Sequence, residues 1–125
     1  MTMFPWLNTL KREKKKMRDV NSGDVWLAKF HPSSANELKK YRPAVILNAL
    51  TKYDKRFVLI VPLSSLLKKK SKADVLIHYE FLTKPSLVLC WHIRVLDRTA
   101  LQSKLGSLDT KDFNIIKKTA KNVLN

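Results

Sequence analysis

Glycine, cysteine and acidic side chains are scarce in this sequence, and each shortage closes off a class of function. Only Gly23 and Gly106 occur in 125 residues, which excludes the glycine-rich loops that cradle phosphates in nucleotide-binding proteins. Cys90 stands alone, so there is neither an intrachain disulfide nor a cysteine-based metal cluster, and a reducing compartment fits. His31, His78 and His92 are scattered, and no His-x-x-x-His pattern or flanked Asp-x-Asp offers the spacing of metal ligands. No metal and no cofactor is therefore expected, and an enzyme built on this chain must work with ordinary side chains. No apolar stretch approaches membrane-spanning length. At the N-terminus Phe4, Trp6, Leu7 and Leu10 precede the basic run Lys11 to Arg18, the reverse of a secretory signal. A cytoplasmic protein with no membrane partner is the expectation.

What the chain has in excess is positive charge. Lys and Arg number 25 against 10 Asp and Glu, a formal net charge of +15. Such a field exceeds what solubility needs and attracts polyanions, so a nucleic acid, RNA ahead of DNA, is the expected partner. An acidic protein would answer the same charge. With 45% hydrophobic residues, a chain of this length is the size of one domain with its own core.

Residues 1–20 read as a basic extension, because the run Lys11-Arg12-Glu13-Lys14-Lys15-Lys16 offers no apolar stripe to dock on a core. Residues 21–125 read as the folded domain. Within it, Val25 to Phe30, Ala44 to Leu47, Phe57 to Leu63, Val75 to Tyr79 and Leu87 to Leu96 are apolar runs divided by polar loops. That pattern predicts a mainly antiparallel sheet or barrel. In the first run Trp26, Ala28 and Phe30 share a face and are assigned to the core in preference to Val25, Leu27 and Lys29. Pro43 is expected to open a strand and Pro62 to sit late in one. After Leu108, Asp109 reads as a helix N-cap with Asp112 as a weak capping-box partner. Phe113, Ile116, Ala120, Val123 and Leu124 then follow at helical spacing, predicting an amphipathic C-terminal helix packed on the sheet.

RNA is a substrate that needs neither metal nor cofactor, because its own 2′-hydroxyl can attack the adjacent phosphorus. The protein must then accept a proton, stabilise the crowded anionic phosphorane and protonate the leaving oxygen. Tyr41-Arg42-Pro43 is one candidate place, with Arg42 just before a strand and restricted by the following proline. Val61-Pro62-Leu63-Ser64-Ser65 is the other, since hydroxyls at a strand end followed by Lys68, Lys69, Lys70 and Lys72 would face a phosphate backbone. Alone, such residues more often serve turns and caps.

Together the blocks resemble a known family. Gly23-Asp24-Val25-Trp26-Leu27 is followed by Glu37, Arg42-Pro43-Ala44-Val45-Ile46-Leu47 and Val61-Pro62-Leu63-Ser64. Leu89-Cys90-Trp91-His92-Ile93-Arg94-Val95-Leu96-Asp97 and Leu105-Gly106-Ser107-Leu108 complete the series. In order and spacing over residues 22–124 they resemble the MazF/PemK family of toxin endoribonucleases. The resemblance implies an SH3-like barrel with a C-terminal helix, usually a homodimer, that cleaves single-stranded RNA without metal. It also implies 2′,3′-cyclic phosphate and 5′-hydroxyl products, and neutralisation by an acidic antitoxin.

The resemblance places the family's catalytic arginine on Arg42, its hydroxyl residue, usually threonine, on Ser64, and an acidic loop position on Glu37. A guanidinium keeps its proton to about pH 12, so Arg42 suits charge stabilisation or proton donation better than proton abstraction. Glu37 would orient it or accept the 2′-hydroxyl proton. His92 stands where many members have glutamine, and is a candidate auxiliary acid or base. The loop Pro32 to Lys40 lacks the glycine common in the family. RNA contacts are assigned to Lys39, Lys40, Ser65, Lys68, Lys69 and Lys70 for phosphates and to Tyr41 and Trp91 for stacking bases. Two other functions remain open: a toxin of the same fold that inhibits a protein such as gyrase, and a non-catalytic nucleic-acid-binding barrel.

Overall fold

The computed structural model describes residues 20–30, 41–68 and 71–125. The extension up to residue 19, together with Glu37, Lys39, Lys40, Lys69 and Lys70, lies outside the described residues. Among the described residues, seven strands form one antiparallel sheet: β1 (Asp24–Lys29), β2 (Tyr41–Asn48), β3 (Phe57–Ser64), β4 (Asp74–Ile77), β5 (Ser86–Leu89), β6 (Arg94–Asp97) and β7 (Leu101–Ser107). The spatial order is β4-β5-β3-β2-β1-β7, with β6 also paired to β3. The helix α1 (Thr110–Val123) follows β7. This is the mainly β architecture with a C-terminal helix expected from the sequence.

Local chemistry explains how the sheet begins. Gly23 takes φ of +90°, a left-handed conformation that side chains disfavour, and turns the chain into β1. Its N–H donates to the Ile46 carbonyl at 2.8 Å, and its carbonyl accepts from Leu108 at 2.9 Å. The next residue, Asp24, is buried, so its carboxylate must be satisfied. It accepts from the Asn21 N–H, the Trp26 indole and the Ser107 hydroxyl, and Lys104 lies 3.4 Å away. One carboxylate thereby ties β1 to β7.

The sheet has apolar cores on both faces. Trp26, Ala28 and Phe30 pack with Ile46, Ile60 and Leu101 on one face, as assigned. Val25 is also fully buried, on the other face with Val45, Val61 and Val88, where Ile116 and Ala120 of α1 cover it. Alternation alone assigned Val25 outward because it presumed one solvated face. Val20, counted with the extension, is buried in the first core.

The fifth apolar run divides into β5 and β6, where one strand was expected. Its cause lies in β3, whose Phe57–Ile60 half pairs with β6 while Leu63 and Ser64 pair with β5. The chain therefore turns between Cys90 and Ile93, with the His92 N–H donating to the Leu89 carbonyl at 3.0 Å. Pro62 lies between the two pairings, where a missing donor is tolerated. Pro43 is the third residue of β2, one position past the Ala44↔Pro62 end of the β2–β3 ladder. Tyr41 and Arg42 are thus inside β2, paired to Lys29 and Ala28, and do not precede it. The sequence pattern gave no sign of β7, because two register shifts against β1 break its alternation.

Helix α1 starts as predicted, with the Asp109 side chain accepting from the Asp112 N–H at 2.7 Å. The Asp112 carboxylate does not reach back to the cap. The Tyr79 hydroxyl bridges them, accepting from the Asp109 N–H at 3.1 Å and donating to Asp112 at 2.5 Å. Burial and then the Asp112 carboxylate push the Tyr79 hydroxyl up to about 12, so it stays a donor. Ile116 and Ala120 are buried, but Val123 and Leu124 at the end of the stripe remain exposed.

Candidate functional site

Strand register brings the two main candidates together. The β2–β3 ladder ends at Ala44↔Pro62, and Arg42 and Ser64 each lie two residues beyond that pair. Both line a cavity of about 750 Å³. Ser65 shares the lining, while Thr83 and Lys84 from the β4–β5 connection form part of its wall. Apolar surface comes from Leu63, Phe81, Leu89 and Leu105, and among the described residues no carboxylate lines the cavity. With Arg42 and Lys84 in it, the described lining favours an anion.

The polar groups here hold few commitments to the fold. Arg42 is exposed and makes no side-chain hydrogen bond or ion pair among the described residues. The Ser64 oxygen accepts from the Leu66 N–H at 3.1 Å, which orients the hydroxyl and leaves its proton to donate. That bond is the turn role expected of a serine after a strand, and it also prepares the hydroxyl to act on an anion.

His92 and Trp91 sit beside this cavity, on the β5–β6 turn, and do not line it. The Trp91 ring stacks on His92, with centroids 5.2 Å apart, and its indole N–H donates to Asp74 at 3.0 Å. Half of Trp91 is nevertheless exposed, 51%, so an aromatic face is held out to solvent. Burial, followed by the charges of Arg94 and Arg42, holds the His92 imidazole below its usual range. It is neutral near pH 7 and able to accept a proton. Tyr41 is exposed but alternates to the opposite side of β2 from Arg42 and does not line the cavity. Lys68 is exposed beyond the end of β3. Thr83, Lys84 and Phe81 were not singled out in the sequence, where Thr83-Lys84-Pro85 looks like any basic turn.

Cys90 is no nucleophile, since burial and then Asp74 push its thiol up to about 12. Among the described residues no group of three or more His, Cys, Asp or Glu is placed to hold a metal ion. No helix among them is long and apolar enough to cross a membrane.

Comparison with known proteins gives the family and the fold. Residues 21–124 match the family model of the PemK-like, MazF-like toxins of type II toxin-antitoxin systems. The chain belongs to that family. The solved structure of MazF from Deinococcus radiodurans superposes with a TM-score of 0.69 at 21% identity, covering 84% of this chain and 96% of that one. A MazE-MazF structure from the same organism gives 0.69 at 20%, covering 84% and 95%. A mycobacterial endoribonuclease in complex with its cognate antitoxin gives 0.67 at 18%, covering 84% and 94%. At such identities these likenesses establish the fold of this PemK-like, MazF-like toxin. No curated protein matches the chain by sequence. The toxin-family match ends at residue 124 and so includes all of α1.

Proposed function

We propose that this toxin is an endoribonuclease that cuts single-stranded RNA without a metal ion, leaving a 2′,3′-cyclic phosphate and a 5′-hydroxyl. The observation that carries the reading is that Arg42 and Ser64 line one cavity. Relatives of the same fold described as endoribonucleases support it.

In this mechanism the 2′-oxygen attacks phosphorus, its proton passes to a base, and the bond to the 5′-oxygen breaks. The Arg42 guanidinium stabilises the charge that gathers on the phosphorane oxygens. Ser64, whose oxygen is already held by the Leu66 N–H, donates a hydrogen bond to the same phosphoryl group, and the leaving 5′-oxygen takes its proton from a solvent water. His92, neutral and within the field of Arg42, is the described side chain suited to take the 2′-proton. Glu37 is the alternative base. The exposed face of Trp91 suits a stacked base, as does Tyr41, and Lys39, Lys40, Ser65 and the Lys68, Lys69 and Lys70 cluster suit phosphates.

The toxin acts as a homodimer in the cytoplasm and is neutralised by an acidic antitoxin. Antitoxin complexes of relatives and the +15 charge of this chain support that partner. The reading is tested by incubating purified protein with structureless RNA in EDTA, beside Arg42→Ala and Ser64→Ala, and determining the product ends. Wild type should cut to cyclic phosphate ends and both variants should lose most activity. Intact RNA would instead support a toxin that inhibits a protein, and equal cutting by Arg42→Ala would refute the assigned chemistry.

A further inference from the structure

Opposite Arg42 and Ser64, the β4–β5 connection brings Phe81, Thr83 and Lys84 into the cavity lining. None of the three has a part in the cleavage chemistry, and their placement needs an explanation. The Lys84 side chain is exposed and makes no hydrogen bond or ion pair among the described residues. Its backbone is fixed, because the buried Ser86 donates its hydroxyl to the Lys84 carbonyl at 3.1 Å. A cation is thus carried on an anchored turn in the lining of the cavity that holds Arg42.

Phe81 is held just as firmly. Its ring stacks on Tyr79 with centroids 5.1 Å apart, and Tyr79 is bonded to Asp109 and Asp112 at the start of α1. On β7, Gly106 gives the ring its room: a Cβ there would stand 2.3 Å from Cδ2 and 2.7 Å from Cγ of Phe81. A glycine, a tyrosine and a helix cap therefore combine to set one aromatic wall.

The cavity lining thus combines cations from two elements, hydroxyls and apolar side chains. Its volume of about 750 Å³ far exceeds one phosphate group and lies in the range of organic-ligand pockets. The ligand class that combines an anion with an apolar ring of this size is a nucleotide. We infer that the cavity is a subsite for one nucleotide next to the scissile bond, with Lys84 and Thr83 holding its phosphate and Phe81 and Leu105 packing its base. The inference rests on the endoribonuclease reading, which sets the scissile phosphate at Arg42.

The test uses the full chain, Lys84→Gln, and Lys118→Gln as a control on an exposed position of α1 away from the cavity. A fluorescent 2′-O-methyl RNA oligonucleotide, which binds but lacks the attacking hydroxyl, is titrated across salt concentrations, and KM and kcat are measured on cleavable RNA. Loss of one phosphate contact on a single strand should reduce the slope of log affinity against log salt by about 0.7. KM of Lys84→Gln should rise about three- to fivefold and carry most of the loss in kcat/KM. Lys118→Gln should keep the wild-type slope. Phe81→Leu, checked for an unchanged melting temperature, should weaken binding without altering the slope. A wild-type slope and KM in Lys84→Gln would overturn the inference, as would an equal change in Lys118→Gln. If the wild type binds the oligonucleotide through Lys84 yet cuts no RNA, the subsite stands and the endoribonuclease reading falls. If RNA is cut and Lys84→Gln changes nothing, the reading stands and the subsite falls.

Discussion

Arg98 and Arg42 occupy opposite ends of β3 and are used in opposite ways. Arg98, on the 3-10 turn after β6, is 2% exposed and donates to the carbonyls of Lys55, Ala49 and Phe57. Its own N–H donates to Arg56 at 2.8 Å, so one residue gathers the whole β2–β3 loop. Arg42 is exposed, holds nothing in the described fold, and lines a cavity together with Ser64, whose hydroxyl proton is left to donate. Burial with satisfied donors marks an arginine that builds the protein. A guanidinium without a partner among the described residues, in one cavity with an oriented serine, is one suited to a ligand.

That contrast can be broken by mutation. Arg42→Ala should lower cleavage about 10²–10³-fold, the usual cost of losing one transition-state donor, with no change in melting temperature. A fall in stability would show that Arg42 is structural after all. Arg98→Leu should do the reverse: leaving buried carbonyls without donors costs about 3 kcal/mol in urea unfolding, while the folded fraction keeps its activity. Gly106→Ala comes next, with about 1–3 kcal/mol of overpacking strain and a displaced Phe81, read by melting and by loss of RNA affinity. The smallest change is one of shape. Because His92 sits below its ordinary value, kcat/KM should rise with pH through a pKa under about 6.5 as the imidazole loses its proton. His92→Gln should flatten that limb, and an unchanged profile would remove His92 from the chemistry.

The same contrast explains what the sequence could and could not reveal. Arg42 and Ser64 were legible because a proline follows one and a strand ends at the other, and both line one cavity. Asp109 as a cap and the apolar stripe of α1 were legible because both are local patterns. Arg98 was not, since its partners are carbonyls more than forty residues away that any sequence supplies. Lys84 and Phe81 were hidden for a related reason: a basic turn becomes part of a site only when β5 pairs with β3 beside Ser64. Strand β7 escaped because its bulges destroy the alternation by which strands are recognised.

The central claim is that Arg42 and Ser64 act on RNA by way of its own 2′-hydroxyl. The most direct measurement compares cleavage of an RNA oligonucleotide with that of the same strand carrying one 2′-deoxy residue at the cut position. The account predicts that the deoxy strand binds equally and is not cut there. Cleavage of both strands at the same bond and rate would contradict it.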